Sequence, residues 1–419
     1  MKDMNRHIIR LYATILLLFT ALTGRGGEAC DSLTATNAVT EAADAATGMD
    51  ITATEAATEA AVADTTASRP GLIKRVINYF GQSNRRKSNS GLDFSIIGGP
   101  YYNSDMGLGI GLVASGLYGA NGDPDTPPPS NASLSGKIST KGFATIGLSG
   151  THLAPSDKYR VTYLVEFFAD PSDYWGIGYD LGNDNANKSR MKRVGIKIEG
   201  AYLRSLGANL YAGPMVAVDY VNAFDIERPD LLAGMSTSTW SVGAGFTLSY
   251  DSRDVLTNPH KGVYAKVSQT FRPRFLANKN AFSSTALQLD LYKTIWTRGI
   301  LAADLRAEFN YGNPSWHMMA QIGGTSFMRG YYQGRYRDKD MMALQVELRQ
   351  HVWRRCGIVV WGAAATVFRR FDEITMRRML PNVGMGYRWE FKKDVNVRFD
   401  FGFGKSGQNG FMFSINEAF

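Results

Sequence analysis

The stretch Leu301-Ala-Ala-Asp-Leu-Arg-Ala-Glu-Phe-Asn310 decides the fold. Its odd-numbered positions are apolar, whereas its even-numbered positions from Asp304 onward are polar or charged. Successive side chains of a β-strand point to opposite faces, so this stretch has one apolar face and one charged face. A tilted strand needs about ten residues to cross a membrane. A soluble β-sandwich would also alternate, but it favours shorter strands with the polar face outside.

The same period of two recurs from residue 92 to the end of the sequence, and no run of apolar residues is long enough for a membrane-spanning helix. Periodicity alone predicts fourteen strands, near residues 107–118, 133–150, 159–169, 190–204, 208–222, 238–250, 262–272, 283–296, 299–312, 341–353, 357–368, 382–391, 394–404 and 410–419. Aromatic residues near strand ends are typical of interfacial girdles: Tyr211, Tyr220, Trp240, Tyr250, Trp353 and Trp389. Charged faces are solvated in a wet lumen, and closure satisfies every backbone group. We therefore predict an all-β protein, a transmembrane antiparallel β-barrel over residues 91–419.

Residues 1–29 combine basic residues with the apolar run 11–22, as in a secretory signal peptide. An uncleaved membrane anchor is the alternative, although the run is short for a membrane span. Residues 30–69 are rich in Ala, Thr and acidic residues and have too little bulky apolar surface to offset the entropy of ordering. We therefore expect a disordered tether there.

Residues 70–90 contain apolar positions at helical spacing between Ile73 and Phe80, followed by a basic flank. This pattern predicts a short amphipathic helix. Three placements are open for it: on the inner leaflet of the membrane, in the barrel mouth as a plug, or as a simple linker.

Composition limits the partners and the chemistry. Residues 1–29 contribute +2 and the acidic segment 31–68 contributes −7 to the formal charge of +8, so the remainder carries +13. The excess of Lys and Arg in the barrel is consistent with a basic pore or rim, with contact to anionic lipid headgroups such as those of lipopolysaccharide, or with binding of an acidic passenger. Nucleic acid is excluded as a partner for an exported chain. Two cysteines, Cys30 and Cys356, are too few for a disulfide scaffold, and the five histidines show no metal-ligand spacing. We expect no metal and no cofactor.

Two motifs carry a family resemblance. Residues 322–338 read Ile-Gly-Gly-Thr-Ser-Phe-Met-Arg-Gly-Tyr-Tyr-Gln-Gly-Arg-Tyr-Arg-Asp, and residues 250–254 read Tyr-Asp-Ser-Arg-Asp. Both resemble motifs of the BamA/TamA (bacterial surface antigen) superfamily, and the resemblance spans residues 92–419. It implies a sixteen-stranded outer-membrane barrel with five strands after the loop motif, and it makes the terminal Phe419 an assembly signal. The matching residues are Gly323, Gly324, Arg329, Gly330 and Tyr331 in the loop, and Tyr250, Asp251, Arg253, Asp254, Pro259 and Gly262 in the strand-turn motif.

The resemblance also assigns a role to Arg329. In the family, this arginine lies on a surface loop that folds back into the lumen and pairs with carboxylates of the barrel wall. On the next strand Glu347 falls on the polar face, so it is the natural partner for a charge-assisted, bidentate pair. The family commonly has an Asp and a Gly near the positions of Ala363 and Ala365, so the usual second acid is missing, and Asp400 is an available lumenal carboxylate. Two roles of Arg329 remain as alternatives: it stabilises a loop that plugs the lumen, or it takes part in gating.

Several functions remain open. The resemblance implies a barrel that assists a protein or lipid client to enter or cross the outer membrane without covalent chemistry. Family members capture clients with POTRA domains, and residues 30–91 hold none. We therefore expect recognition to come from a periplasmic accessory protein, from a protein client with its own affinity, or from the acidic tether and helix as a docking segment. A passive or loop-gated channel and a structural membrane component are the alternatives. The Ser/His and Asp/His sets of barrel enzymes are not found in the sequence, so we expect no enzyme.

Overall fold

The computed structural model describes residues 93–103, 107–118, 130–154, 157–392 and 394–419. The predicted signal peptide, tether and amphipathic helix therefore lie outside the described residues. The described strands are β1 Asp93–Asn103, β2 Gly107–Tyr118, β3 Ser130–Ser139, β4 Ala144–Leu153, β5 Tyr159–Tyr174, β6 Ser189–Gly207, β7 Leu210–Phe224, β8 Ser238–Asp251, β9 Gly262–Arg272, β10 Phe282–Trp296, β11 Gly299–Gly312, β12 Ala320–Gln321, β13 Arg337–Asp338, β14 Asp340–Trp353, β15 Cys356–Phe368, β16 Leu380–Lys392, β17 Val395–Gly404 and β18 Asn409–Ile415.

Helical structure in the described residues is short. One α-helix, α1, spans Tyr179–Asn183. Single 3₁₀ turns lie at Asn185–Asn187, Pro229–Leu232, Arg274–Leu276, Trp316–Met318, Phe371–Glu373, Met376–Arg378 and Lys405–Gly407. None of the described helices is long and apolar enough to cross a membrane.

Sixteen strands, all except β12 and β13, form one antiparallel sheet in sequence order. Its edge strands β1 and β18 lie against each other, so the sheet curls into a barrel. Five strands follow the loop motif, from β14 to β18. Within the described residues, every other pair of neighbouring strands in the barrel is joined by a hydrogen-bonded ladder, whereas β1 and β18 are not. We call this pair of edges the seam.

The sixteen strands agree with the family resemblance and exceed the fourteen that periodicity predicts. The strand predicted at 133–150 is in fact two strands, β3 and β4, because the alternation continues through the short turn 140–143. Strand β1 is missed because Gly98-Gly99-Pro100 interrupts its pattern. The strand predicted at 410–419 ends at Ile415, since Asn416 turns the chain with a φ of 65°.

The two ends of the barrel differ in the length of their connections. Residues 208–209, 297–298 and 354–355 form two-residue turns at one end, whereas the connection 313–339 at the other end is the longest among the described residues. Outer-membrane barrels have short periplasmic turns and longer extracellular loops. The short-turn end is therefore the periplasmic end, and β1 begins and β18 ends there.

The barrel faces are the reverse of those of a soluble protein. Large apolar side chains alternate along the outer face and are exposed, including Leu301, Leu305, Leu344, Val346, Ile358, Val360, Val383, Met385, Phe401 and Phe403. Charged and polar side chains on the inner face are buried, including Asp304, Gln345, Glu347, Arg349, Arg388, Arg398 and Asp400. Trp240 near one end, and Tyr250 and Trp353 near the other, are exposed as a girdle requires. Tyr211 is not part of the girdle, because it faces inward and its hydroxyl donates to Asp157 Oδ2 at 2.5 Å.

Candidate functional site

The connection 313–339, which we call the lumenal loop, lies between β11 and β14 and packs against the inner wall. At its base, β12 and β13 form a two-stranded ladder that pairs Ala320 with Asp338 and Gln321 with Arg337. The fully buried Trp316 packs at this base, and its indole Nε1 donates to Ser236 O at 3.0 Å. Burial and the neighbouring Arg193 and Arg337 lower the pKa of His317, beside Trp316, to about 3, so the base carries a neutral imidazole.

The tip of the loop rests on the backbone of strand β17. Met328 and Gly330 both have positive φ, 50° and 103°. A Cβ atom on Gly330 would collide with the carbonyl group of Gly402, and a Cβ atom on Gly402 would collide with the carbonyl oxygen of Arg329. Two glycines facing each other therefore allow the close approach that brings Arg329 to the wall.

Arg329 is fully buried and is held by four strands of the wall. Its Nη2 donates to Glu347 on β14, and its Nη1 donates to Asp400 Oδ2 on β17 at 2.8 Å. Its guanidinium lies 3.7 Å from the ring centre of Trp361 on β15. The side chain of Asn382 on β16 donates to the Arg329 carbonyl oxygen at 2.7 Å. One loop residue thus connects four consecutive strands.

Arg329 is part of a closed set of ion pairs, which we call the charge ring. The ring runs through Arg329, Glu347, Arg349, Glu417, Arg388 and Asp400 and returns to Arg329, and Arg398 joins it at Asp400. All seven side chains are almost completely buried. Ion pairs removed from water in this way depend on one another, because each charge needs its partner to offset the loss of hydration.

Glu417 follows β18 and closes the ring near the periplasmic end. Burial opposes its ionisation, but Arg388 and Arg349 outweigh this and lower the pKa of Glu417 to about 2. Its carboxylate accepts from Arg388 Nε at 2.8 Å and from Asn396 Nδ2 at 2.7 Å. The Glu417 side chain is therefore turned into the lumen.

The remaining loop residues of the motif fix the loop on its extracellular side. The Tyr331 hydroxyl donates to Pro381 O at 2.6 Å and accepts from Lys405 N at 2.7 Å. Gly323 and Gly324 both have positive φ, and a Cβ atom on Gly323 would collide with the Tyr331 carbonyl. Arg335, which the sequence did not single out, donates to Gly182 O at 2.8 Å and so ties the loop to α1.

The strand-turn motif lies at the periplasmic mouth. Asp251 is buried and accepts two hydrogen bonds from the guanidinium group of Arg253, at 2.9 and 3.0 Å. Asp254 Oδ1 accepts from the backbone of Val255 and His260 and so closes the turn. Pro259 is buried in this segment, Gly262 has a φ of 115°, and Tyr250 faces outward.

The connection 252–261, which we call the strap, reaches across the mouth. Thr257 Oγ1 donates to Asp394 O at 2.7 Å in the turn between β16 and β17. The backbone N–H of Glu417 donates to Thr257 O at 3.4 Å. The motif thus joins distant parts of the wall at the same end as the charge ring.

Phe419 is outside strand β18. Its ring lies 6.2 Å from that of Tyr292 and 5.0 Å from the Arg349 guanidinium, both on the inner wall. Its carbonyl oxygen accepts from Arg349 Nη2 at 3.1 Å. The residue matched to an assembly signal therefore lies on the lumenal side.

Small side chains occupy the two positions of β15 at which the family resemblance leads one to expect an Asp and a Gly. Ala363 and Ala365 pack with loop residues Met328 and Tyr331 in one apolar cluster, so small side chains there make room for the loop. Asp400, two strands further on, supplies the second carboxylate. Trp361, Asn382, Arg349, Arg388, Arg398 and Glu417 were not singled out as site residues, although strand alternation places the three arginines on the inner face.

The loop leaves part of the lumen open. A cavity of about 280 Å³ lies between the loop and the wall of β5 to β7. Charged side chains line it, among them Glu166, Asp170, Arg193, Lys197 and Asp219. Within the residues that the structure describes, no group of three His, Cys, Asp or Glu side chains could hold a metal ion.

These features define an outer-membrane β-barrel with a loop anchored inside its lumen. Residues 132–419 match the Omp85 superfamily domain, and the chain belongs to that superfamily. The chain is an outer-membrane protein of the Gram-negative type. No curated protein matches the sequence significantly.

Solved structures support the fold. BamA from Haemophilus ducreyi lacking POTRA domains 1–3 is 13% identical, with a TM-score of 0.50 over 77% of this chain and 70% of that one. CdiB from Escherichia coli is 11% identical, with a TM-score of 0.51 over 82% and 71%. CdiB from Acinetobacter baumannii is 11% identical, with a TM-score of 0.50, and the chain spans only 60% of its length.

Proposed function

We propose that this barrel assists a protein client to enter or cross the outer membrane, without covalent chemistry. The observation that carries the proposal is the seam, where β1 and β18 lie side by side without a ladder among the described residues. Unpaired strand edges present free N–H and C=O groups and are templates for an additional strand. A client strand would satisfy these groups as it enters the membrane, where no water can do so.

The wall beside the seam supports this role. The charge ring and the lumenal loop fasten β14 to β17 to one another through side chains, in addition to their ladders. A firmly held wall keeps the edge of β18 in place while β1 separates from it. The similarity to structures of BamA and CdiB fits a barrel of this kind but is a likeness of fold.

A disulfide scan across the seam tests the proposal. Cys30 and Cys356 are first replaced by Ser, and cysteine pairs are then placed along 95–101 and 409–415. We expect an oxidised seam to stop insertion of client barrels into vesicles and reduction to restore it. A matched disulfide between β3 and β4, which already share a ladder, is the control. Undiminished insertion with a fully oxidised seam would contradict the proposal.

A loop-gated channel is the second candidate, and the cavity of about 280 Å³ beside the loop favours it. Its lining is charged, as expected of a path for water and ions. Arg329→Ala would release the loop and raise the single-channel conductance in planar bilayers. A conductance equal to that of the original protein would count against the channel.

We further propose lipopolysaccharide as a lipid partner of the extracellular rim. The loop 369–379 presents the half-exposed or exposed side chains of Arg369 and Arg370 beside the exposed Phe371 and Met376. Such a surface suits phosphate groups at the level of the headgroups and acyl chains below them. Replacing both arginines by Gln should weaken binding of purified lipopolysaccharide, and unchanged binding would refute the contact.

A further inference from the structure

A small cavity, of about 160 Å³, lies at the extracellular end of the barrel. It is enclosed by the connection before β8, the connection before β10 and the base of the lumenal loop, together with the first residues of β8 and β10. Pockets for drug-sized ligands measure about 300–1,000 Å³. This cavity is smaller, so its size suits a ligand of a single ring.

Hydrogen bonds hold the walls of this cavity in place. The Asn278 side chain donates to Val242 O at 2.7 Å and to Pro273 O at 2.8 Å, which fastens the connection before β10 to β8. The indole Nε1 of Trp316 donates to Ser236 O at 3.0 Å, which fastens the connection before β8 to the lumenal loop. The cavity is thus formed before a ligand binds, and this lowers the entropic cost of binding.

Uncharged polar side chains dominate the lining of the cavity. Seven lining residues carry a hydroxyl or an amide group: Ser236, Thr239, Ser241, Asn278, Asn280, Asn313 and Ser315. Among the described residues that line it, only the exposed Lys279 is charged. One exposed lysine contributes little to the binding of an anion. The lining therefore favours a neutral, polar ligand.

Three of these polar side chains have hydrogen-bonding groups to spare. The Thr239 side chain is 8% exposed, and its hydroxyl oxygen has no hydrogen-bond partner among the described residues. A buried hydroxyl without a partner is costly, so a ligand group that bonds to it is bound favourably. The exposed side-chain amides of Asn280 and Asn313 make no hydrogen bond within the same part of the chain. Hydroxyl and amide groups can both donate and accept.

Trp240 adds an aromatic surface to the lining. Its side chain is 47% exposed, and its ring lies 4.5 Å from that of Tyr220. The face of an aromatic ring carries a partial negative charge and attracts polarised C–H groups. Because Trp240 is part of the girdle, the cavity lies at the level of the lipid headgroups.

We propose that this cavity binds a single uncharged sugar ring of the pyranose type. The hydroxyl groups of a pyranose donate and accept hydrogen bonds, as Thr239, Asn280 and Asn313 do, and its C–H groups can pack on Trp240. An acyl chain would leave the Thr239 hydroxyl without a partner. The sugar can belong to lipopolysaccharide of the outer leaflet or to a free saccharide, and both present the same chemistry.

Saturation-transfer NMR on the full chain tests the proposal, with the protein refolded in a detergent that has no sugar headgroup. The probes are the methyl glycosides of glucose, galactose and mannose, and glycerol is the acyclic counterpart. Thr239→Val removes the hydroxyl group and keeps the shape of the side chain. Thr237→Val is the matched control, because Thr237 is exposed two residues away and does not line the cavity.

We expect at least one glycoside to bind, Thr239→Val to weaken its affinity about tenfold through the loss of one hydrogen bond, and Thr237→Val to leave it unchanged. Displacement of the glycoside by purified lipopolysaccharide would identify the membrane lipid as the source of the sugar, whereas binding that lipopolysaccharide does not displace would identify a free saccharide. Either result supports the site.

Three results would overturn the inference: no binding of any of the three glycosides, equal binding of glycerol, or equal affinity of Thr239→Val and the original protein. The assay contains no client protein. Its outcome is therefore independent of the proposed function, and failed insertion of a client would leave the sugar site unaffected.

Discussion

Replacing Arg329 by Ala should release the tip of the lumenal loop from the wall while leaving the barrel folded. The substitution removes the hydrogen bonds to Glu347 and Asp400 and the contact with Trp361. The strand ladders of β14 to β17 do not involve this side chain, so the barrel itself keeps its hydrogen bonds.

The free-energy cost of the substitution depends on the ion pairs that Glu347 and Asp400 keep. Removing one partner of a buried ion pair typically costs about 3–5 kcal/mol. Glu347 still has Arg349, and Asp400 still has Arg388 and Arg398, so the lower end, about 3 kcal/mol, applies. This free energy corresponds to roughly a 100-fold larger population of the released loop.

Thiol accessibility at the loop tip measures that population. Met328 is 1% exposed beside Arg329, so Met328→Cys in a background without the native cysteines reports release of the tip. We expect labelling by a water-soluble maleimide to accelerate about 100-fold with Arg329→Ala. Arg329→Lys keeps the charge but loses the forked geometry and should fall in between.

Arg272→Ala is the matched control, because Arg272 is also a buried lumenal arginine and its carboxylate partner is Asp219 on the wall. It should change the labelling rate of Met328→Cys little. If Arg329→Ala accelerated labelling less than threefold, or no more than Arg272→Ala does, the ion pairs would not be what holds the tip.

Three further results are expected. Gly402→Ala should also release the tip, because its Cβ would collide with the loop backbone, whereas Gly362→Ala, where a Cβ meets nothing within 4 Å, should not, as the same labelling assay can show. The pKa of Glu417 in the folded protein is about 2, below its usual value, so its ionised form contributes about 3 kcal/mol to the free energy of unfolding above pH 5, and this contribution is lost as the pH falls towards 2. In denaturant unfolding, Glu417→Gln should therefore be less stable than the original protein at pH 7 and should lose less stability in acid. An unchanged dependence of stability on acid pH would refute this. Asp254→Ala removes the acceptor for the strap backbone and should speed proteolysis of residues 252–261 from the periplasmic side, while equal cleavage rates would show that the carboxylate does not hold the turn.

The sequence predicts much of the barrel because its period-two pattern has a direct physical cause. Leu344 and Val346 are exposed to lipid while Gln345 and Glu347 are buried, as alternation predicts. The pattern predicts the strands wrongly in two places. Glycine and proline interrupt the alternation in β1, and between β3 and β4 a tight turn leaves the alternation intact, so that two strands look like one. Both errors concern the number of strands rather than the class of fold.

Only part of the site can be predicted from the alternation of side chains in the sequence. Glu347 is close to the loop in sequence, and its face follows from alternation on one strand. Asp400 is 71 residues from Arg329, and its height on the wall depends on the register of three successive ladders, which a single sequence does not reveal. Glu417 is harder still, because it follows the end of a strand and reaches the lumen only through the turn at Asn416.

The distribution of side-chain contacts around the barrel bears directly on where it can open. Arg329, Asn382 and Asp400 add buried contacts between the loop and β14 to β17, so separating those strands would leave charges without partners. Strand β1, in contrast, has a ladder with β2 on one side and no ladder with β18 on the other, within the described residues. Among the residues that the structure describes, opening the barrel at the seam therefore breaks no ladder, whereas separating any two strands from β14 to β17 breaks both a ladder and ion pairs. For this reason we expect Arg329→Ala to loosen the loop without closing the seam, and we expect a disulfide across the seam to block a client even when the loop is intact.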